Sequence, residues 1–197
     1  MTDLISTVAP AVRGMLGAGA PEVRLATDDF SPCGHFRYRL DYWWRSGVQP
    51  LLVVGQNPSK ASHQRTDPTA LRCARRAHRA GLGGLVMLNM FPRVATDPAD
   101  LWAAGEDVAE EAKNMFTIRN ALIENIDAPV LFAPGGDPHP RHRAQAAKVE
   151  AILRGKGVDL LCLGTTAAGL PRHPSRLGYD VPMVPWTGSF AVGGSAA

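Results

Sequence analysis

The stretch that most constrains the fold is residues 51–60, which read LLVVGQNPSK. Four consecutive apolar residues, 51–54, are typical of a strand that is buried on both faces of a parallel sheet. Gln56 and Asn57 then supply amide donors and acceptors, and Pro58 prevents the strand from continuing. In open α/β sheets, ligands bind beyond the carboxyl ends of the strands. The sequence therefore predicts a functional site in this turn.

The domain organisation follows from length and composition. With 197 residues, 45% of them hydrophobic, the chain has enough apolar side chains for one domain with a substantial core. We expect residues 35–187 to form this domain and residues 1–34 to be an N-terminal extension that packs on it. Residues 188–197 consist mostly of Gly, Ser and Ala, and we expect a flexible tail.

The cysteines and the apolar runs indicate the class of protein. The three cysteines form no CxxC pair, which favours reduced thiols over a disulfide framework, a zinc knuckle or an iron–sulfur cluster. No apolar run approaches the ~20 residues that a membrane-spanning helix needs. The N-terminus also lacks a basic segment followed by a long apolar stretch. We therefore expect a cytoplasmic protein with no membrane partner.

Apolar runs at 51–54, 85–90, 129–134 and 158–163 predict four buried strands. Residues 35–42 alternate between apolar and polar side chains, which predicts a half-buried edge strand antiparallel to residues 51–54. Helical patterns lie between the strands, and a further short helix is possible within residues 1–17. The alternation of strands and helices predicts an α/β fold. We expect a three-layer α/β/α sandwich with a central, mostly parallel four-stranded sheet and an added antiparallel edge strand.

Three aspartates precede prolines at predicted helix starts. Asp67, Asp97 and Asp137 are most simply helix caps, because a carboxylate accepts from free backbone N–H groups and proline fits the first helical position. His139 and His142 lie beside arginines at one of these starts. No other ligands are spaced to join them around a metal, so a solvated or phosphate-binding face is the better interpretation.

Four arginines of the helix that begins at Pro68 form a basic stripe. Arg72, Arg75, Arg76 and Arg79 follow the i, i+3, i+4, i+7 spacing of one helix face. Like charges stacked in this way cost a few tenths of a kcal/mol per pair, which a polyanion would offset. A solvated helix face is the simpler alternative. The formal charge of +3 permits a nucleic-acid partner but does not require one.

Three polar motifs occur at predicted strand ends, in the order VGQNPS (54–59), VMLN (86–89) and HPSRL (173–177). Together they resemble the uracil-DNA glycosylase superfamily. Its members carry Gly-Gln-Asp-Pro or Gly-Ile-Asn-Pro after the first strand, then Leu-Leu-Asn, and a late His-Pro-Ser-Pro-Leu. The resemblance covers roughly residues 48–178. The chain is also similar to an uncharacterised bacterial and phage family with an NPS motif and a late RHP.

The resemblance implies roles around a flipped base. Asn57 would orient the attacking water, although an amide cannot deprotonate it. His173 would donate to the base O2, where negative charge develops. Asn89 would pair with O4 and N3–H of uracil, and Gln56 would add a contact to the base. The superfamily's stacking aromatic is absent between residues 60 and 71, and Phe91 is the nearest substitute.

The resemblance also implies contacts to DNA. Leu177 stands where the superfamily has a leucine that fills the gap left by the flipped base. Serines of the first and last motifs would bind the flanking phosphates. Arg176 replaces the second proline of the late loop. The predicted DNA-binding set is Ser59, Lys60, Arg72, Arg76, Ser175, Arg176 and Leu177.

The expected function is therefore that of a monomeric DNA glycosylase-type hydrolase. It would excise uracil or a modified pyrimidine from single- or double-stranded DNA by base flipping and water attack, in repair or modification, without metal or organic cofactor. Two alternatives stay open, because Asn57 stands in place of an aspartate and the aromatic is missing. One is an enzyme of nucleotide or DNA-base modification on the same scaffold, and the other is a non-catalytic nucleic-acid binder. Either way, Asn57, Asn89 and His173 should converge in one pocket.

Overall fold

The computed structural model describes residues 23–59 and 68–190. The possible helix within residues 1–17, Lys60 and the predicted cap Asp67 lie outside these ranges. The strands of the described part are β1 (Leu25–Phe30), β2 (Arg37–Trp43), β3 (Pro50–Gly55), β4 (Gly84–Asn89), β5 (Val130–Phe132), β6 (Leu160–Cys162) and β7 (Val184–Pro185). The helices are α1 (Pro68–Arg79), α2 (Pro98–Ala103), α3 (Val108–Glu124) and α4 (Pro140–Gly155), with a 3-10 turn at Pro174–Arg176.

The strands form one sheet in the order β1-β2-β4-β3-β5-β6-β7. The four predicted buried strands, β3 to β6, are parallel to one another, which confirms the α/β class. The strand predicted from residues 35–42 was placed wrongly, because β2 pairs antiparallel with β4 and not with β3. Nor is β2 an edge strand, since β1 pairs with its other side. The edges are β1 and β7, neither of which the sequence predicted.

Both faces of the sheet are covered by helices, which explains the continuous apolar runs of the central strands. Leu51 and Val53 of β3 face α1, and they share its apolar cluster with Ala74. Leu52 and Val54 point the other way, towards α3 and α4. Alternate side chains of a strand point to opposite faces, so a run buried on both sides requires this arrangement. The three-layer α/β/α architecture is thus confirmed.

Strand β2 is buried on both faces, and not on one as its sequence pattern predicted. The side chains of Arg37 and Asp41 are buried although they alternate with apolar neighbours. Helix α3 packs over β2. Asp41 pairs with Arg39 within the strand (Nε to Oδ1, 2.8 Å), and Arg39 Nη1 lies 2.5 Å from Oε2 of Glu124 on α3. An alternating pattern predicts a solvated polar face only when no ion-pairing helix covers it.

The last described residues pack on the domain. Phe190 is fully buried against Phe132 and Trp186. Its backbone N–H donates to Glu150 Oε2 at 2.6 Å. Residues 188–190 therefore differ from the flexible tail expected there, because one large aromatic side chain anchors them. No helix of the described ranges is long and apolar enough to cross a membrane.

Candidate functional site

A cleft of about 650 Å³ opens at the carboxyl ends of β3, β5 and β6. From β3 the chain passes first to β4 on one side and later to β5 on the other side. The cleft thus lies at the switch point of the strand order, where α/β sheets bind their ligands. Polar side chains dominate its described lining, which includes Gln56, Asn57, Ser59, Asp137, Thr166, Arg172, His173, Ser175 and Arg176.

Asn57 is held by its amide nitrogen at the edge of this cleft. Its Nδ2 donates to the carbonyl oxygen of Ala95 at 2.8 Å and to that of Pro58 at 3.1 Å. Because Nδ2 is used in this way, the side-chain oxygen Oδ1 is the atom that can accept from a water or a substrate. The preceding residue, Gln56, has a buried Nε2 with no hydrogen-bond partner among the described residues.

Asn89 ends β4 next to the same cleft, and its side chain is only 2% exposed. Its Nδ2 has no hydrogen-bond partner in the described part of the chain. A buried donor without a partner is costly, so this amide is prepared to donate to a ligand. Gly55 makes room for it: a Cβ there would lie 3.0 Å from Asn89 Oδ1 and 3.9 Å from His173 Nε2.

His173 caps the 3-10 turn at Pro174–Arg176, and this fixes its tautomer. The backbone N–H of Ser175 donates to His173 Nδ1 at 3.3 Å, and the Ser175 hydroxyl lies 2.9 Å from the same nitrogen. Because Nδ1 accepts, the neutral ring carries its hydrogen on Nε2. The turn therefore presents an N–H donor on the side of Gly55 and Asn89. Gly135, at φ +78°, passes close behind, and a Cβ there would lie 3.2 Å from His173 Cβ.

Buried polar side chains of α3 and α4 anchor the strand ends below the cleft. Asn114 Nδ2 donates to the carbonyl of Asn89 at 2.9 Å, and Gln145 Nε2 donates to that of Met90 at 3.0 Å. His142 Nε2 lies 3.1 Å from the carbonyl oxygen of Pro134, directly before the loop that follows β5. Burial lowers the pKa of His142, although its hydrogen bond to the Pro134 carbonyl opposes this.

The arginine stripe is engaged within the chain. Arg76 is 4% exposed and donates to the carbonyl oxygens of Gly178 and Val181. Arg72 Nη1 donates to the carbonyl of Leu177 at 2.8 Å. The prediction that Arg76 contacts DNA was wrong, because its charge is buried against this loop. Arg72 is partly exposed, but its guanidinium is likewise held by the loop.

Two apolar side chains also lie elsewhere than predicted. Leu177, the predicted wedge, is 7% exposed and packs in the cluster beneath α1. It borders the cleft but does not protrude from the surface. Phe91 is buried with its ring edge-on to Trp102 at a centroid distance of 5.3 Å, and it lines a different depression, so it offers no stacking surface in the cleft. Ser59, Ser175 and Arg176 do line the cleft.

Sequence reasoning missed Asp137 as a cleft residue. Its interpretation as the cap of α4 was wrong, because His139 occupies that position and accepts from the backbone N–H of Arg141 at 3.2 Å. Asp137 instead accepts from His139 N–H at 2.8 Å and lines the cleft. Its place just after a buried strand was the available signal. The cap prediction for Asp97 is confirmed by its bond from Ala99 N–H at 2.8 Å.

Other lining residues were not singled out either, namely Arg172 and Thr166 of the segment after β6. Both stand near the late His-Pro-Ser motif, which was the only signal for them. The residues that the structure describes contain no group of three His, Cys, Asp or Glu side chains that could hold a metal ion.

A family model described as "Protein of unknown function (DUF1643)" matches residues 37–175. No curated protein matches the chain significantly. A hyperthermophilic esterase from the archaeon Pyrobaculum calidifontis is 13% identical over 78% of this chain and 48% of its own, with a TM-score of 0.39. The thermophilic carboxylesterase EstE1, cloned from a metagenomic library, is 13% identical over 83% of this chain and 56% of its own, with a TM-score of 0.39.

The hetero-hexameric glutamate dehydrogenase from Thermus thermophilus is 15% identical over 78% of this chain and 36% of its own, with a TM-score of 0.33. The chain thus spans about half the length, or less, of these solved structures. Similarities this low do not indicate a function, so the chemistry has to be argued from the cleft itself.

Proposed function

This chain belongs to the DUF1643 family, and we propose that it is a hydrolase that removes uracil or a modified pyrimidine from DNA. In this proposal the target base leaves the helix and enters the cleft at the ends of β3, β5 and β6. Water then attacks the sugar carbon C1′, and the N-glycosidic bond breaks. Recognition of an extruded base uses hydrogen bonds to its edge, which the amides and the imidazole of the cleft can provide.

The observation that carries the proposal is the convergence of three polar motifs that lie far apart in the sequence. Gln56 and Asn57 follow β3, Asn89 ends β4, and His173 follows β6, yet all four border one cleft or lie next to it. Both Gln56 and Asn89 carry a buried amide nitrogen without a described partner. Buried donors of this kind complement the carbonyl oxygens of a pyrimidine such as uracil.

His173 and Asn57 would act on the two sides of the breaking bond. The Nε2–H of a neutral imidazole can donate to the base oxygen on which negative charge accumulates, and a donor fixed beforehand costs no reorganisation. Ser175 fixes this tautomer through Nδ1. The Oδ1 of Asn57 can hold the attacking water by accepting one of its hydrogens.

A second candidate is an enzyme that acts on a free pyrimidine nucleotide with the same cleft. The observation that favours it concerns the parts expected to handle duplex DNA. Leu177, Phe91 and Arg76 are all buried and engaged within the domain. Exposed Arg172 and Arg176 at the mouth of the cleft would then bind one phosphate group instead of a DNA strand.

Excision assays on labelled oligonucleotides test the proposal. Single strands and duplexes that carry uracil or 5-hydroxymethyluracil are incubated with the protein and treated with alkali, which cleaves at abasic sites. We expect cleavage at the target base with the wild type, and none with an Asn57→Ala, His173→Ala double variant. A parallel arm with deoxyuridine monophosphate measures release of free uracil.

The controls separate the two candidates. Cleavage that persists in the double variant contradicts the assigned site. Release of uracil from the nucleotide, with no cleavage of any oligonucleotide, favours the second candidate. No release from either substrate, together with salt-sensitive DNA binding, would indicate a binding protein and contradict both.

A further inference from the structure

Asp137 is the one carboxylate among the cleft-lining residues that the structure describes. It lies in the loop between β5 and α4, which carries none of the three motifs that the sequence marked. Oδ1 of Asp137 accepts from the backbone N–H of His139 at 2.8 Å. This bond holds the carboxylate in place and leaves its second oxygen for a further partner. The side chain is half-buried, so a water in the cleft can reach it.

The reaction requires a proton acceptor that the first motif does not provide. An amide oxygen does not take up a proton near neutral pH, so Asn57 cannot be the base. The Nδ2 of Asn57 is already bonded to two backbone carbonyls. His173 receives a hydrogen bond on Nδ1 and carries its hydrogen on Nε2, so it enters the reaction as a donor. Neither side chain can accept the proton of water.

The surroundings of Asp137 hold its carboxylate in the cleft. Asp137 lies just before α4, where it accepts from the backbone N–H of His139. Gly135 lets the loop pass directly beside His173, since a Cβ there would come within 3.2 Å of His173 Cβ. The loop that carries Asp137 is therefore packed against the turn that carries the proposed donor to the base.

We propose that Asp137 is the general base of the hydrolysis, an inference that rests on the proposed function. Asn57 orients the water, and Asp137 removes one of its protons as the water oxygen bonds to C1′. The electron pair of the C1′–N bond leaves with the base, whose developing oxyanion accepts from His173 Nε2–H. The departed base takes a proton from solvent, and Asp137 returns its proton to solvent.

The test measures kcat/KM for excision against pH in wild type, Asp137→Asn and Asp137→Glu. Asn keeps the acceptor for His139 N–H, so the fold is expected to survive, which thermal unfolding checks. Loss of the base should slow Asp137→Asn by about 100-fold or more. In Asp137→Asn, kcat/KM should no longer fall at acidic pH, whereas Asp137→Glu should keep this fall. An Asn57→Asp change placed in the Asp137→Asn background should restore measurable rate.

Control variants separate this inference from the proposed function. Asp159→Asn changes an exposed carboxylate outside the cleft and should match the wild type. If the wild type is active and Asp137→Asn is equally fast, with the same fall of kcat/KM at acidic pH, this inference is overturned but the proposed function is not. The inference is also overturned if Asp67→Asn loses the fall of kcat/KM at acidic pH while Asp137→Asn keeps it. A wild type that excises no base overturns the proposed function and this inference together.

Discussion

Replacing Arg76 tests whether the arginine stripe holds the fold or contacts DNA. Its guanidinium donates to the carbonyl oxygens of Gly178 and Val181, and also to that of Arg72 at 3.1 Å within the helix. Burial lowers the pKa of Arg76, which indicates that its charge is held away from water. The two bonds to the loop therefore replace solvation that the side chain has lost.

The magnitude follows from these contacts. A hydrogen bond to a charged group contributes about 1.5 kcal/mol at the low end, so the two loop bonds give about 3 kcal/mol. Removing the buried charge recovers part of this, and the exposed Gly178 can be solvated, which leaves a net loss of about 2 kcal/mol for Arg76→Met. For a domain of this size, that corresponds to a fall in Tm of about 4–8 °C.

Arg79→Met is the matched control, because Arg79 is exposed and makes one bond to the loop, to the carbonyl of Tyr179 at 3.0 Å. Its effect on the free energy of unfolding should stay within about 0.5 kcal/mol. Thermal unfolding followed by circular dichroism measures both variants. Equal stability of Arg76→Met and wild type, together with a shallower salt dependence of DNA binding, would refute this account and restore Arg76 as a phosphate contact.

Three further predictions concern the supports of the cleft. Gly55→Ala should impair excision while it changes Tm little, because the added Cβ would lie 3.0 Å from Asn89 Oδ1. An activity assay paired with a melting curve measures this, and unchanged activity would contradict it. Asn114→Leu should lower the free energy of unfolding by about 2 kcal/mol in urea titrations, because the carbonyl of Asn89 loses its buried side-chain donor and that of Met90 keeps only Gln145. Stability should fall as the pH drops below about 6.5, by up to ~1.4 kcal/mol per pH unit, because the unfolded chain protonates His142 while burial lowers the pKa of the folded one. Urea titrations across pH should therefore show a flatter profile for His142→Gln than for the exposed-site control His78→Gln, and equal slopes would contradict this.

The sequence predicted the central part of the fold well because its signals are local. Apolar runs mark the four parallel strands, and Asp97 with Pro98 marks the start of α2. Strand β1 gave no comparable signal, because LATDDF carries mostly polar or small side chains and alternates only between exposed and partly buried positions. The pairing of β2 with β4 depends on contacts between distant residues, which alternation along one strand does not encode.

The site was predicted in part for the same reason. Polar residues at the ends of parallel strands must lie at one edge of the sheet, so Asn57, Asn89 and His173 could be grouped before the structure was known. The fate of Arg76 could not be predicted, because its partners lie about 100 residues downstream in a loop without regular structure. Asp137 and His139 both precede a proline, and only the geometry of the loop shows which of them caps α4.

The most direct test of the central claim is the intact mass of a uracil-containing strand after single-turnover incubation with the protein. The account predicts that the strand loses the mass of the base and gains a hydroxyl, that free uracil appears in equal amount, and that the Asn57→Ala, His173→Ala double variant leaves the strand unchanged. A strand that gains mass while it keeps its base, or one that stays unchanged with the wild type, would contradict a glycosidic hydrolase.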